Sequence, residues 1–539
     1  MAKRLKKPSV SDITTLKTDL QAYYSTEQDN FKACEEAYEG TFKIKVADGF
    51  EKYIPPTGRA VVDVAVDHYI TQHPIVQVPP QKDTEASQQH SDRMEKFYNN
   101  ILRENITRNV ISPIREAAKQ LGVYGMFCLK GPWVDERYLE EQHPTFRRFY
   151  PFNFRAVNPM FIFPEPSFFW NGDGGVLEVN ERTVSEVASE WPGWKPSRGK
   201  KPTDKLECIQ YVNNDWIAYI ADNDFVDGPK PNVYGYVPYE IGFSGMGRIT
   251  EKPEHLAVGL LLPLIEALKT EASIKSAMKA IVELYAYPRL GSLQDMTGVQ
   301  LGMGPNSITH LPEGPGSLFE IVSGHIPPDL FSYIRTLSED VERGSFSKVV
   351  YGERPAGVDS GYHQRTLVSE VRLRFGEGVH TLENKLSNVL GKCAYLMENI
   401  IPEPISIWGR INKQYYEETI RPQDVKGHYT NYVTLATSTP EEDERISLAG
   451  LQLLQAGAIS RLLFLEKYLK VGDATAEIRR IMVEGVMAQP EIRAAMSQAA
   501  VKDWGMEEFL PQGGETVMAP GQPPEAAIPG EISMPGGMV

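Results

Sequence analysis

The chain has 539 residues, of which 41% are hydrophobic and 24% are charged, and its formal net charge is −15. This length exceeds what one hydrophobic core usually organises, so we expect two or more structural regions. The negative charge argues against a protein that binds nucleic acid by neutralising phosphates, because such proteins concentrate Lys and Arg on the contact face. It does not exclude a protein that lets DNA slide past without holding it.

The sequence shows neither a signal peptide nor a membrane span. The basic start "MAKRLKKPSVSDITT" is not followed by an apolar run, and no window reaches the roughly 18 apolar residues that a spanning helix requires. The four cysteines, Cys34, Cys128, Cys208 and Cys393, are isolated, which favours a reducing compartment. We therefore expect a soluble protein that is intracellular at synthesis.

The N-terminal part is predicted to be helical. A first helix carries Leu16, Leu20 and Tyr23 on one face, and residues 59–80 predict a helix that leads into a proline-closed strand.

A second helical stretch is predicted to begin at an N-cap at Ser91 and to stop at Gly122 and Gly125. After this stretch the sequence consists of short runs of aromatic and β-branched residues, which are separated by clusters of turn-forming residues such as "NGDGG". Residues 126–245 are therefore predicted to be rich in β-strands.

A long helix is predicted from Pro253 to Tyr287, where Pro263 either kinks it or marks its true beginning. Its length would be roughly 50 Å. A compact glycine-rich segment with short strands follows, and a second helix begins with Pro328 in the first turn and ends at Gly344. The i, i+4 ladder of the long helix consists of Leu256, Leu260, Leu264 and Leu268.

A segment rich in Gly and Pro runs from Ser345 to Gly361 and separates the second helix from another long helix, predicted over residues 362–400. Beyond it, "GHYTNYVTLAT" resembles a strand. A further helix is predicted with Thr439 as N-cap and Gly457 as its stop. From about residue 505 the composition predicts a disordered tail.

The sequence shows no catalytic or cofactor-binding constellation. It has no phosphate-binding loop, no H-E-x-x-H pair and no G-x-S-x-G elbow, and "GMGPNS" is most simply a turn. Lys269, Lys275 and Lys279 fall on the first long helix with Glu271 among them. They form either a solvated helix face or a surface that faces a polyanion. We expect no enzyme activity, no metal and no cofactor.

The order of these elements resembles the phage portal, or head-to-tail connector, family over nearly the whole chain. Local phrases are similar as well: "RAVVDVAVDHYITQHPIVQVPP" to the N-terminal helix and strand, "NVYGYVPYEIGFSG" to the strand before the stem, "AYPRLG" to the stem exit, and "PAGVDSGYHQRTL" to the tunnel loop entering the wing helix. The resemblance implies an α+β, predominantly helical fold that assembles as a ring. The implied regions are a wing (1–252 and 362–438), stem helices (253–287 and 326–344), a clip (288–325), a tunnel loop (345–361), a crown (439–504) and a disordered tail (505–539).

The resemblance also implies a function. Twelve copies would form a ring at one capsid vertex of the virion, assembled in the host cytoplasm, with no membrane partner. The ring would be the channel through which double-stranded DNA is packaged and ejected, and it would bind the large terminase, the major capsid or scaffolding protein and later the tail adaptor proteins. The DNA-facing candidates are Lys348, Arg354, Gly357, Asp359 and Gly361 in the tunnel loop and Lys269, Lys275 and Lys279 in the stem.

Other interpretations of the sequence stay open. The chain could be an enzyme of the packaging or lysis machinery with unrecognised motifs, or another structural protein of the head–tail junction. The segment from Ser345 to Gly361 could be an exposed linker between two helices rather than a channel loop.

Overall fold

We describe the chain from a computed structural model. It is a mixed α/β protein with about 52% helix and 20% strand, which confirms the mixed fold class. The chain folds into two compact units, Met1–Thr437 and Ser438–Val539, and the boundary lies beside the predicted start of the crown at residue 439. The structure describes residues 6–46, 51–69, 74–82, 84–135, 150–170, 172, 174–250, 252–286, 289–291, 319–321, 328–345, 361–411, 414–435, 440–469, 477–478, 480–482 and 485.

The described N-terminal helices are α1 (Val10–Tyr23), α2 (Ser25–Glu39), α3 (Thr57–Tyr69), α4 (Glu85–Arg108) and α5 (Pro113–Tyr124). Helix α1 begins with a capping box, in which the Asp12 backbone N–H donates to Ser9 Oγ (3.2 Å) and the Ser9 N–H donates to the Asp12 carboxylate (3.0 Å). Of the residues on the predicted face of this helix, Leu20 is buried and Tyr23 is 44% exposed. Tyr24, just after the helix, is buried, and its hydroxyl donates to the Pro164 carbonyl (2.9 Å).

The prediction that Ser91 caps a helix is wrong. Helix α4 begins earlier, with Thr84 as its N-cap, and the Thr84 side chain accepts a hydrogen bond from the Ser87 backbone N–H (3.3 Å). Ser91 lies inside the helix, buried, and its hydroxyl donates to the carbonyl of Val78. A serine inside a helix thus ties α4 to the extended segment before it.

Helix α5 passes through Gly122 and ends at Gly125, so the predicted stop at Gly122 is wrong and the stop at Gly125 is confirmed. Gly125 has φ +75°, and a Cβ at this position would lie 2.1 Å from the backbone carbon of Val258. Both the left-handed backbone and the close approach therefore require glycine.

The predicted β-rich region is confirmed. Strand β2 lies between β3 and β9 in a three-stranded sheet, and β4 to β8 form a five-stranded antiparallel meander in sequence order. Two short helices, α6 (Pro166–Trp170) and α7 (Val184–Glu190), interrupt the strands. The strands are β1 (Ile75–Gln77), β2 (Met126–Val134), β3 (Phe152–Val157), β4 (Ile162–Pro164), β5 (Val176–Thr183), β6 (Lys205–Val212), β7 (Trp216–Ala221), β8 (Asp224–Pro231) and β9 (Tyr239–Phe243).

The first stem helix is shorter than predicted. A 3₁₀ turn at Leu262–Leu264 precedes α8, which spans Ile265–Ala286 in 22 residues, or roughly 33 Å. Pro263 lies in that turn and has no N–H to donate, so it marks the beginning of the helix rather than a kink. The second predicted stem helix, α9 (Pro328–Gly344), has Pro328 in its first turn and ends at Gly344 as predicted, and residues 326 and 327 of the prediction lie outside the described residues.

The predicted long helix is confirmed as α10 (Gly361–Asn399), with Phe375, Leu382 and Leu386 buried along one side. It packs against β2 and β9 of the three-stranded sheet. After it come a hairpin that the sequence did not reveal, β12 (Ile405–Ile411) with β13 (Gln414–Ile420), a short helix α11 (Pro422–Val425) and the strand β14 (Tyr432–Thr434). Strand β14 pairs with β1, which joins two ends of the unit that are far apart in sequence. The two strands between the stem helices are β10 (Arg289–Gly291) and β11 (Phe319–Ile321).

The described part of the second unit contains α12 (Pro440–Gln455), α13 (Arg461–Leu463) and a π-helical turn at Phe464–Tyr468. Gly457 has φ +70° just after α12, which confirms the predicted stop. Helix α12 packs against the π-helical turn, where Gly450 gives room to the Tyr468 ring. The predicted N-cap Thr439 and the predicted tail from residue 505 lie outside the described residues.

Candidate functional site

Helices α8 and α9, the predicted stem, form an antiparallel pair within the first unit, and we keep the name stem for this pair. The two helices pack against each other, and Gly344 at the end of α9 approaches Leu264 just before α8 so closely that a Cβ would lie 2.3 Å from Leu264 Cδ2. The far end of α8 leads into β10, and β11 precedes the start of α9. Within the first unit, the chain therefore runs outward along α8, turns at β10 and β11, and comes back along α9.

The strands β10 and β11 form a short antiparallel pair between the two helices in the chain. Leu290 of β10 is the partner of Glu320 in β11, and Gly291 is the partner of Phe319. Because the strands pair, the chain between them begins and ends at one place beyond the two helices. Most of the predicted clip, residues 292–318 and 322–327, lies outside the described residues.

The two halves of the stem differ in burial. Near the base, Leu268 on α8 and Val341 on α9 are buried, at 3% and 6% exposure. Towards the strand pair, Val282, Phe331 and Tyr333 are 58%, 55% and 51% exposed. Large apolar side chains on the outer half of the stem therefore face solvent in the single chain, which is typical of a surface that another molecule covers.

The predicted stem lysines are all ion-paired within the chain. Lys269 Nζ lies 3.0 Å from Glu266 Oε1, and Lys275 Nζ lies 2.6 Å from Glu271 Oε1, both along α8. Such i, i+3 and i, i+4 pairs hold a lysine against its own helix. The structure thus gives the lysines a local role, and their contact with DNA stays a prediction.

Lys279 makes a longer connection. Its ammonium lies 2.8 Å from Glu51 Oε2 and 3.7 Å from Glu283 Oε1. The hydrogen bond to Glu51 raises the pKa of the Lys279 ammonium and lowers the pKa of the Glu51 carboxyl. Glu51 precedes α3, so this pair links the stem to the N-terminal segment.

The predicted tunnel loop connects the base of the stem to the long helix. Ser345 is buried, with its hydroxyl donating to the Val341 carbonyl (2.6 Å), and Gly361 is the first residue of α10. The four other predicted DNA-facing residues, Lys348, Arg354, Gly357 and Asp359, lie outside the described residues.

Three charged residues that sequence reasoning missed fix α10 to the three-stranded sheet. Lys392 Nζ lies 2.7 Å from Glu240 Oε1, and Lys385 Nζ lies 3.1 Å from Glu240 Oε2. Burial raises the pKa of the Glu240 carboxyl, but the two ammonium groups and their hydrogen bonds outweigh it and hold that pKa below its ordinary value. Glu240 therefore stays ionised at neutral pH and holds two turns of α10 in place.

A polar cleft of about 910 Å³ lies over the five-stranded sheet. At its floor Lys130 Nζ lies 2.6 Å from both Glu178 Oε2 and Gln210 Oε1, and the Tyr239 hydroxyl donates to Glu178 Oε2 (2.7 Å). Burial raises the pKa of Glu178, but Lys130 and Tyr239 outweigh it and lower that pKa overall. These charged groups are paired with one another, and they tie β2 and β9 to β5 and β6.

One sequence signal could have revealed these groups. Lys130, Glu178 and Glu240 are charged residues inside otherwise apolar strands, in "MFCLKGPWV", "VLEVNERT" and "YEIGF". A charge in such a run is buried and needs a partner. The sequence cannot say which partner, because the partners are distant along the chain.

Within the described residues, the structure shows no cluster of His, Cys, Asp or Glu side chains that could hold a metal ion. None of the four cysteines is poised as a nucleophile: burial raises the pKa of the Cys34 thiol to about 12 and also raises those of Cys128, Cys208 and Cys393. In the described part of the chain, no helix combines the length and apolar character needed to cross a bilayer.

No protein-family model matches the chain, and no curated protein matches its sequence.

Proposed function

We propose that the protein is a portal-type subunit: a non-enzymatic chain whose copies close into a ring around a channel for double-stranded DNA. The observation that carries the proposal is the stem, in which α8 and α9 pack as an antiparallel pair and the strands β10 and β11, which lie between them in the chain, pair with each other. This arrangement follows the order of stem, clip and stem that the resemblance to phage portal proteins implies.

The exposed apolar residues of the stem support assembly. Val282, Phe331 and Tyr333 lie on the outer half of two packed helices, where a single chain leaves them in contact with water. Fully burying a large apolar side chain stabilises an interface by roughly 1.5–3 kcal/mol. A ring of copies repeats the same lateral contact and covers this surface in every subunit, because cyclic assemblies close on themselves.

The electrostatics support passage of DNA rather than tight binding. The chain carries a net charge of −15, and the stem lysines Lys269, Lys275 and Lys279 are paired with carboxylates. A duplex carries one negative charge per roughly 1.7 Å, so a wall with neutralised lysines and excess negative charge repels it weakly. DNA can then move along the channel without a large release of counterions.

The way α10 is fixed to the sheet also supports the proposal, because it gives the predicted tunnel loop a firm point of attachment. It has 39 residues, or roughly 58 Å, and the Glu240 pairs with Lys385 and Lys392 fix it to the sheet. The segment from Ser345 to Gly361 is thus attached at both ends to packed helices. Fixed ends of this kind are what a loop facing the proposed channel requires.

The test is the oligomeric state of the full-length protein. Mass photometry and negative-stain images should show closed rings with a central channel. Phe331→Asp should abolish the rings, whereas Val233→Asp, a matched change at a site that is 71% exposed in the β-rich region, should leave them intact. A uniform monomer near 60.4 kDa across salt concentrations would overturn the proposal.

The partners follow from the same proposal. The terminase would dock at the clip, residues 288–325, and the tail adaptors would bind the ring after packaging. Deleting residues 291–316 should preserve the helical content of the rest of the chain and abolish binding of the large terminase. Unchanged binding by this deletion variant would remove the docking role from the clip.

A further inference from the structure

A small apolar cavity lies beside the junction of α1 and α2 in the first unit. Its volume is about 110 Å³, somewhat less than the roughly 150 Å³ of an engineered cavity that takes up benzene. A short aliphatic chain is the kind of apolar body that fits this space. Its apolar walls include Tyr24, Met126, Ile162, Phe169, Phe243 and Leu256.

One carboxyl group lines this cavity. Glu27, the third residue of α2, is only 4% exposed. Among the described residues it has no hydrogen-bond or ion-pair partner, and the nearby Tyr24 hydroxyl donates to the Pro164 carbonyl instead. The Glu27 oxygens are not among the fully buried atoms that lack a partner, so the carboxyl is accessible from the cavity and available to a ligand there.

The charged and titratable groups around Glu27 come from two neighbouring segments. They are Tyr23 and Tyr24 at the end of α1 and Lys252 and Glu254 in the segment that packs across α2. Burial and, to a smaller extent, the negative charge of Glu254 together raise the pKa of Glu27 to about 8. The ammonium of Lys252 forms no ion pair with Glu27, although both residues line the cavity.

We propose that this cavity binds a primary ammonium ion on a short apolar stem, with the Glu27 carboxylate as its counter-ion. The aliphatic stem lies among the apolar walls, and the ammonium donates hydrogen bonds to Glu27. Tyr24 and Phe243, which also line the cavity, carry aromatic rings of the kind that attract cations. This site is independent of ring assembly, so its test and the test of the proposed function can fail separately.

The proposal predicts a pH dependence of defined sign. Without ligand, Glu27 is mostly protonated below pH 8, so binding of a cation there releases one proton. The amine stays charged throughout, since ammonium groups of this kind titrate near 10.4. Affinity for the cation should therefore rise roughly 25-fold between pH 6.5 and 8.5, the ratio of the ionised fractions of Glu27 at the two pH values.

Isothermal titration calorimetry of the full-length protein with n-pentylamine and with 1-pentanol tests the proposal. The two probes share the apolar stem, and only the amine carries a charge. We expect n-pentylamine to bind at least tenfold more tightly at pH 8.5 and to show the pH profile above, while 1-pentanol binds equally at both pH values. A blocked lysine, Nα-acetyl-lysine N-methylamide, distinguishes the source of the ammonium: tighter binding than n-pentylamine indicates a peptide side chain, and weaker binding a free amine.

The variants separate charge from shape. Glu27→Gln keeps the size of the side chain and should remove both the preference for n-pentylamine and the pH dependence. The matched control is Glu36→Gln, an exposed carboxyl on the same helix, which should change neither. Equal binding of the two probes by the wild type, binding of neither, or an unchanged profile in Glu27→Gln would each overturn the proposal. If Glu27→Gln does not fold, the pH dependence of n-pentylamine binding to the wild type tests the proposal by itself.

Discussion

Helices α10 and α12 carry similar apolar side chains but bury them to different degrees. In α10, Leu382, Leu386 and Val389 are 0% exposed. In α12, Leu448 and Leu451 are 53% and 40% exposed. Both helices have the amphipathic period, yet only α10 has its apolar face covered within the described part of the chain.

The difference comes from the neighbours of each helix. Helix α10 packs against strands of the three-stranded sheet and against β14, whereas the main neighbour of α12 among the described residues is a short π-helical turn. An amphipathic period therefore predicts that a helix forms, but it does not say which molecule covers the apolar face. The outer half of the stem resembles α12, because its apolar side chains Val282 and Phe331 are exposed as well. Such surfaces are where we place contacts between copies.

The largest expected effect compares two glycines that end helices in the two environments. Gly125 after α5 and Gly457 after α12 both have positive φ, but a Cβ at Gly125 would lie 2.1 Å from the backbone of Val258, and a Cβ at Gly457 would meet nothing within 4 Å. Gly457→Ala should cost about 1 kcal/mol for the left-handed backbone alone. Gly125→Ala adds a backbone clash and should cost about 4 kcal/mol.

Urea denaturation followed by circular dichroism measures both variants against the wild type. The comparison would fail if the two alanine substitutions shifted the unfolding midpoint equally. That result would mean that the surroundings of Gly125 yield as easily as open solvent.

The next effect compares two leucines. Leu386→Ala leaves a cavity in the core and should lower the free energy of unfolding by about 3 kcal/mol. Leu448→Ala removes a side chain that is already 53% exposed and should change it by less than about 0.5 kcal/mol in the dissociated chain. Thermal or urea unfolding of the two variants under conditions that keep the chain monomeric checks this ratio. Similar losses would show that α12 is covered within its own chain.

The third prediction tests how strongly the ion pairs of Glu240 hold α10 against the three-stranded sheet. Glu240→Gln leaves the ammonium groups of Lys385 and Lys392 beside a neutral partner and should cost about 2 kcal/mol at neutral pH, less than the roughly 3–5 kcal/mol of fully buried pairs because both lysines are partly exposed. Glu207→Gln is the control, because its pair with Lys17 has a carboxylate that is 48% exposed and should be worth less than about 1 kcal/mol.

The pH dependence has a definite sign. The pKa of Glu240 lies below its ordinary value of 4.5 in the folded chain, so its stabilising contribution is present above pH 4.5 and is lost as the pH falls through the lower folded value. The wild type should therefore lose its advantage over Glu240→Gln in acid. A constant difference between the two proteins from pH 7 to pH 3 would contradict this assignment.

Much of the helical fold could be predicted from the sequence, because period and capping are local. The bounds of α9 and α10 and the stop at Gly457 follow from proline, glycine and apolar spacing. The failures have local causes as well. Thr84 and Ser91 are both plausible N-caps, and the burial of Ser91 against Val78 depends on a tertiary contact that no spacing encodes.

The candidate site was less predictable. The positions of Lys269 and Lys275 on a helix follow from spacing, but their pairing with Glu266 and Glu271 depends on side-chain conformation. Glu27 gave no sequence signal at all, because an isolated glutamate in a first helical turn is ordinary. Only the surrounding tertiary structure, which encloses it in an apolar cavity, makes it a candidate binding residue.

The smallest effect compares the two stem lysines themselves. Lys269 pairs with Glu266, whose side chain is 87% exposed, so Lys269→Met should change the free energy of unfolding by less than about 0.5 kcal/mol. Lys275 pairs with Glu271, whose side chain is 10% exposed and whose Oε2 is buried without a hydrogen-bond partner. Lys275→Met removes the only ion pair seen for Glu271 in the described residues and should cost about 1 kcal/mol.

The contributions of the two lysines to the free energy of unfolding should also respond differently to added salt. The Lys269 pair is open to solvent, and added salt should erase its small contribution, whereas the Lys275 pair is partly buried and should respond less. Urea midpoints of both variants at 0.05 M and 0.5 M NaCl provide the measurement. If Lys269→Met instead impairs packaging while leaving unfolding unchanged at either salt concentration, that lysine acts on a partner outside the chain, and the phosphate backbone of DNA becomes its natural contact in the proposed channel.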